Sequence, residues 1–106
     1  MDYSRDELLT SFGKTTLHDR YLLPTESSPQ DAFMRAAKAF SDNDEMAERI
    51  YNYSSKLWFM YATPILTNGG TERGLPISCF LNYVPDSREG LTGHYTENAW
   101  LASVGG

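Results

Sequence analysis

A serine–proline pair followed by apolar residues at helical spacing constrains this chain more than any other feature. Ser28 can cap a helix with its hydroxyl, and Pro29 suits the first helical position, where no backbone N–H partner is needed. From there Ala32, Phe33, Ala36, Ala37 and Phe40 fall on one face. Ser41 to Asp44 is a polar break able to cap a further helix, after which Met46, Ile50, Tyr53, Leu57 and Tyr61 recur at spacings of three and four. That spacing predicts a helix of about four turns whose aromatic stripe is core packing.

The flanks are read in the same way. Ser4 and Glu7 form a capping-box pattern ahead of Leu8, Leu9 and Phe12, with Gly13 placed to stop that helix. Thr15 to Leu23 carries Leu17, Tyr21 and Leu22 at helical spacing before Pro24. At Thr63-Pro64 the texture changes, because proline disfavours helix in the residue before it, and Asn68-Gly69-Gly70-Thr71 reads as a turn or loop. Pro76 to Val84 alternates as a strand, with Ile77, Cys79, Leu81 and Tyr83 on one face. Pro85-Asp86-Ser87 breaks it, and Asp86 or Ser87 can cap a helix reaching about Ala102, weakened by Gly93. A lone strand leaves its N–H and C=O groups unpaired. Either further chain completes a sheet, or the segment is not a strand and the domain is wholly helical.

Bulk properties exclude several functions. The 106 residues are 41% hydrophobic and 22% charged, enough apolar material for a core and unlike a disordered segment. The net charge of −5, with no Lys/Arg cluster, argues against binding a DNA or RNA polymer. It does not bar a single nucleotide, whose phosphates a few backbone N–H groups can hold. The one cysteine, Cys79, rules out an internal disulfide and a multi-cysteine metal site. His18 and His94 are isolated, so no metal is assigned. No apolar run approaches membrane-spanning length and no signal segment opens the chain, which points to the cytoplasm. Asp42, Asp44, Glu45 and Glu48 read as a solvated face.

Thr63 to Asp86 departs from core patterning. It places Thr63-Pro64, a double glycine, Ser78-Cys79 and Asp86-Ser87 close together. Hydroxyls and glycine-exposed N–H groups are what a phosphate site needs. A cysteine beside such donors can be redox-active, although a cysteine in a strand is more often a buried structural thiol.

The run Ala62-Thr63-Pro64-Ile65-Leu66-Thr67-Asn68-Gly69-Gly70-Thr71, continuing to Pro76-Ile77-Ser78-Cys79-Phe80-Leu81, closely resembles the start of the catalytic barrel in ribonucleotide reductase large subunits. Pro85-Asp86-Ser87 and Ser103-Val104-Gly105-Gly106 fit the same region, and Asp19-Arg20-Tyr21-Leu22-Leu23 and Arg49-Ile50-Tyr51 are similar to the family's helical N-terminal domain. The resemblance implies a mainly α chain: a helical N-terminal domain over 1–62, then the start of a ten-stranded α/β barrel over 63–106, with Pro76–Val84 its first strand. It matches Cys79 to one of the two thiols oxidised as the ribose 2′-OH is removed. It matches Thr63 and Ser78 to substrate-binding positions, and Asp86 and Ser87 to the start of the site for a deoxynucleotide specificity effector.

On the same resemblance, the thiyl-radical cysteine and the second redox cysteine lie downstream, so a chain with one cysteine is expected to be inactive alone. The expected partners are the remainder of the large subunit and a radical-generating small subunit. Adenosylcobalamin is the alternative radical source, and a dithiol is the reductant. No ATP-binding activity domain is expected, the substrate is expected to be a diphosphate, and the stop at Gly106 suggests a split or truncated subunit of phage-like type. The contrasting expectation is a non-catalytic helical remnant or partner-binding module.

Overall fold

Residues 1–105 are described by the computed structural model of the chain. Gly106, which closes the Ser103-Val104-Gly105-Gly106 run, lies outside the described residues. A short 3₁₀ helix at Tyr3–Leu8 is followed by α1 (Ser11–Arg20), α2 (Pro29–Ala39), α3 (Asp44–Ser55), α4 (Thr63–Asn68) and α5 (Arg88–Ser103). No strand occurs among the described residues, so the mainly α expectation stands.

The α2 helix forms where the Ser28-Pro29 pair places it. Ser28 Oγ accepts the Gln30 N–H at 3.1 Å, and the Asp31 carboxylate accepts the Ser28 N–H at 3.1 Å, completing a capping box. Ala32, Phe33, Ala36 and Ala37 are buried and, with Leu17, Tyr51 and Leu66, make the core. Burying a side chain the size of Phe33 or Leu66 contributes about 1.5–3 kcal/mol. Phe40 is the exception on the expected face. It caps the helix and is 47% exposed, its ring lying over Gly69, where a Cβ would come within 2.8 Å of the ring.

The α3 helix buries a face one residue away from the one its large residues suggest. Ala47, Tyr51, Ser54 and Ser55 point inward, while Met46 and Ile50 are half-buried and Tyr53 and Leu57 are exposed. The buried face of α2 includes Ala32, Ala36 and Ala37, which leave room for the Tyr51 ring in the core, and the small residues Ala47, Ser54 and Ser55 fill the rest of the α3 face. The helix also ends at Ser55 rather than running toward Tyr61. Leu57 takes φ 61, the Trp58 N–H reaches the Tyr53 carbonyl and the Leu57 N–H the Ser54 carbonyl, each at 3.0 Å. This is a Schellman stop with leucine where glycine is usual, and Trp58 stacks on Tyr53 at 5.3 Å as its apolar clasp.

Three further expectations are corrected. Asp2, not Ser4, caps the opening 3₁₀ helix, by accepting the Ser4 N–H at 3.0 Å. Gly13 does not stop a helix: Thr10 caps α1 and accepts the Gly13 N–H at 3.0 Å inside its first turn. Thr63-Pro64 opens a helix, α4, because proline within the first turn loses no intrahelical bond, and Leu66 then enters the core.

The largest correction concerns Pro76–Val84, which forms no strand. A strand is stabilised by a neighbour that pairs its N–H and C=O groups, and none is within reach among the described residues. The segment runs irregularly past α5, touching it where the Asn82 amide donates to Asn98 at 3.2 Å. Leu81 and Tyr83 are fully and largely exposed. α5 starts as expected, with Ser87 Oγ accepting the Gly90 N–H at 2.9 Å, but none of its residues is buried. The radius of gyration is 17.4 Å, against about 13 Å for a compact chain of this length.

Two polar networks tie the helices together. In the first, Asp6 accepts from Ser28 Oγ at 2.6 Å and from the Gln30 amide at 2.9 Å, and the Gln30 carbonyl oxygen accepts from the Tyr51 hydroxyl at 2.8 Å. That hydroxyl in turn accepts the Asp2 N–H at 2.9 Å. In the second, all five N–H donors of Arg35 find acceptors. Nε donates to Glu26 at 3.1 Å, Nη1 to the carbonyls of Leu66 and Gly69 at 2.8 and 2.7 Å, and Nη2 to the Tyr21 carbonyl at 3.2 Å and Glu26 at 3.3 Å. The two side chains of this ion pair are each 10% exposed.

Arg35→Lys should destabilise the chain by on the order of 2–4 kcal/mol, because a lysine has three donors and no planar fork, leaving buried acceptors unpaired. Urea unfolding followed by circular dichroism measures it, and a loss below ~0.5 kcal/mol contradicts the assignment. Acid provides a second check. Partial burial raises the Asp31 carboxyl pKa, but hydrogen bonds from Tyr3 and the Ser27 and Ser28 N–H groups outweigh it and hold the pKa below the usual range. The folded pKa is thus below the unfolded one, so this stabilisation is present above about pH 4 and is lost as pH falls through the folded value. Asp31→Asn should flatten that part of the acid-unfolding profile.

Candidate functional site

Helix α4 and the loop after it build the floor of the site. The loop is braced from within: the Asn68 amide donates to the Leu75 carbonyl at 2.8 Å, and Thr71 Oγ1 donates to the Asn68 carbonyl at 2.7 Å. Gly74 lies at φ +64 against Asn68, where a Cβ would sit 2.5 Å from the amide nitrogen, so a larger residue here would be strained and would displace the Asn68 brace. Arg73 reaches back to the Thr67 carbonyl at 3.1 Å and so hangs over the end of α4.

These residues line an open groove of about 460 Å³ whose polar wall is Thr63, Thr67, Asn68, Arg73 and Ser78, closed on the far side by the end of α5. A neighbouring groove of about 430 Å³ runs between Ser78–Asn82 and α5, with Cys79 in its wall. Ser78 lines both. Thr63 and Ser78 therefore meet at one groove and Cys79 stands beside it, with its thiol exposed rather than buried. Asp86 and Ser87 line neither groove. Both are exposed at the start of α5, where Ser87 is the cap.

Thr63 has a second neighbour. Its hydroxyl lies 3.0 Å from that of Tyr21, the residue that closes α1. Behind this pair is an apolar groove of about 270 Å³ bounded by Leu9, Phe12, Leu17 and Met60. Tyr61 also borders it, with a phenol pKa raised by burial and opposed only by a hydrogen bond from Ser54. Thr63 stands in the wall between the two grooves.

Sequence reasoning did not find Arg73, Asn68 as a brace, or Tyr21. Asn68 stood out as a turn residue and Tyr21 as one apolar position of a helix, each also within a family-like run, but neither was assigned a part in the site. Their roles come from contacts across 7 and 42 residues, which no local pattern encodes. Among the described residues no group of three or more His, Cys, Asp or Glu side chains could hold a metal ion. No described helix is long and apolar enough to cross a membrane.

Helix order and core define an all-α unit that presents a hydroxyl-lined groove at its edge. The family pattern described as "Ribonucleotide reductase, all-alpha domain" matches residues 7–74. The chain belongs to the ribonucleotide reductase family. It is 40% identical, over its whole length, to the ribonucleoside-diphosphate reductase large subunit of Invertebrate iridescent virus 3. Identity is 37%, again over the whole chain, to the protein of that name from Invertebrate iridescent virus 6. It is 35%, over 96% of the chain, to the ribonucleoside-diphosphate reductase subunit alpha of Helicobacter pylori. The chain spans only 17%, 11% and 14% of the lengths of these three relatives.

Proposed function

We propose that this chain is the N-terminal part of a ribonucleotide reductase catalytic subunit and contributes one redox thiol and part of the substrate site to it. The observation that carries this is the meeting of Thr63 and Ser78 at one groove, with the exposed Cys79 thiol next to Ser78. Hydroxyls and backbone N–H groups bind phosphate by donating hydrogen bonds, and Arg73 adds one positive charge at the same wall. The relatives' names speak of ribonucleoside diphosphates, and that is the substrate class proposed.

In the proposed reaction the 2′-hydroxyl of the ribose leaves as water while two thiols give up two electrons and two protons and become a disulfide. Cys79 supplies one thiol. It is the chain's only cysteine, so the second thiol and the radical cysteine come from the remainder of the large subunit, and the chain alone does not turn over. An external dithiol then reduces the disulfide by exchange. The described residues offer no ligand set for a metal. The radical generator is proposed to be a diiron-type small subunit in the favoured reading and adenosylcobalamin in the other. Asp86 and Ser87, exposed at the start of α5 and away from the groove, are proposed to begin the deoxynucleotide effector site. In the assembled subunit the exposed segment 76–84 and helix α5 are proposed to pack against the remainder of the large subunit.

The test is nucleotide reduction by the assembled large and small subunits with dithiothreitol as reductant. Cys79→Ser should lower multiple-turnover formation of deoxynucleotide by ~100-fold or more, the scale on which removing a reacting group is felt. Binding of the diphosphate should stay within about twofold, because the change removes no phosphate contact. Full turnover of the serine variant with the dithiol contradicts the redox assignment. Failure of this chain to assemble with the remainder of a large subunit favours the non-catalytic helical module instead.

A further inference from the structure

Tyr21 and Thr63 are 42 residues apart, yet their hydroxyl oxygens lie 3.0 Å apart. Their relative position is held from both sides by one group. Arg35 donates to the Tyr21 carbonyl at the end of α1 and to the Leu66 carbonyl within α4, the helix that Thr63 begins. The tyrosine ring packs at the edge of the core, in the wall of the apolar groove. Thr63 lines that groove and, on its other side, the polar groove that also holds Ser78 and Arg73.

We infer that Tyr21 is a positioning residue for Thr63, acting on the substrate's phosphates through the threonine hydroxyl. The inference rests on the reading above, in which Thr63 binds substrate. A phosphate oxygen only accepts hydrogen bonds, so a threonine that binds it must donate its one proton to it. Thr63 Oγ1 is then left as an acceptor, and the Tyr21 hydroxyl is the donor within 3.0 Å that fits. A donor on Oγ1 fixes the threonine rotamer and polarises its O–H bond toward the phosphate. Without it the hydroxyl must be ordered anew at each binding event, and the cost appears in substrate affinity.

The test uses the full large subunit that contains this chain, with its radical-generating partner, and cytidine diphosphate as substrate. Tyr21→Phe keeps the ring and its packing and removes only the hydroxyl. KM should rise about three- to tenfold, the range of one net hydrogen bond, with kcat within about twofold of wild type. Thr63→Val should raise KM at least as much, and adding Tyr21→Phe to it should change KM no further, because the tyrosine acts through the threonine. A merely structural role gives a different pattern: a lower Tm and a lower kcat from a smaller active fraction, with KM in place.

If Thr63→Val raises KM and Tyr21→Phe does not, the positioning role is overturned while the substrate role of Thr63 stands. Additive effects of the two changes also overturn it, since Tyr21 would then act independently. If Thr63→Val leaves KM unchanged, the substrate reading of Thr63 fails and the inference fails with it.

Discussion

The arrangement of the helical unit turns on the Arg35 guanidinium. Four backbone or side-chain partners from three separate stretches converge on it: the end of α1 at Tyr21, Glu26 in the connection that follows, and the carbonyls of Leu66 and Gly69 at the end of α4. A planar group with five donors suits this task, because the last carbonyls of two helices have no partners within their own helices. The pair with Glu26 is largely out of water. Its worth lies in geometry as much as energy, since a buried ion pair brings modest net stability but penalises arrangements that break it. Arg35 thereby ties the end of α4, the helix that Thr63 begins, to the end of α1.

The local chemistry of α2 and α5 was legible in the sequence because capping acts over three or four residues. Ser28-Pro29 and Ser87 cap as their neighbours suggest. Where tertiary context decides, local pattern misleads. The large residues of α3 suggested a face through Met46, Ile50 and Tyr53, but the core takes Tyr51, with Ala47, Ser54 and Ser55 beside it. Pro64 read as a break, yet at the first turn a proline breaks nothing. The alternation from Ile77 to Tyr83 is a property of a strand, but pairing requires a neighbour that the described residues do not provide.

The same division applies to the candidate site. Thr63, Ser78 and Cys79 drew attention as residue types at a recognisable spacing, and the fold gathers them at two adjoining grooves. Arg73 belongs to the wall of the first, and Tyr21 reaches it only through the contact of its hydroxyl with that of Thr63, so only the folded chain connects them. Asp86 and Ser87 stay apart from the grooves, in keeping with separate binding of a second nucleotide under the proposed reading. Near the site Ile77, Leu81, Tyr83 and Trp100 are exposed large apolar side chains.

The account rests on a preformed helical unit followed by a segment proposed to gain structure from the remainder of a large subunit. Hydrogen exchange of the backbone amides, compared between this chain alone and the assembled large subunit, tests that claim most directly. The amides of α2 should be protected in both states. Those of residues 76–84 should exchange freely in the chain alone and slow by ~100-fold or more on assembly, as backbone hydrogen bonding and burial set in. Equal exchange of residues 76–84 in the two states would contradict the account, since the segment would then have no partner to find.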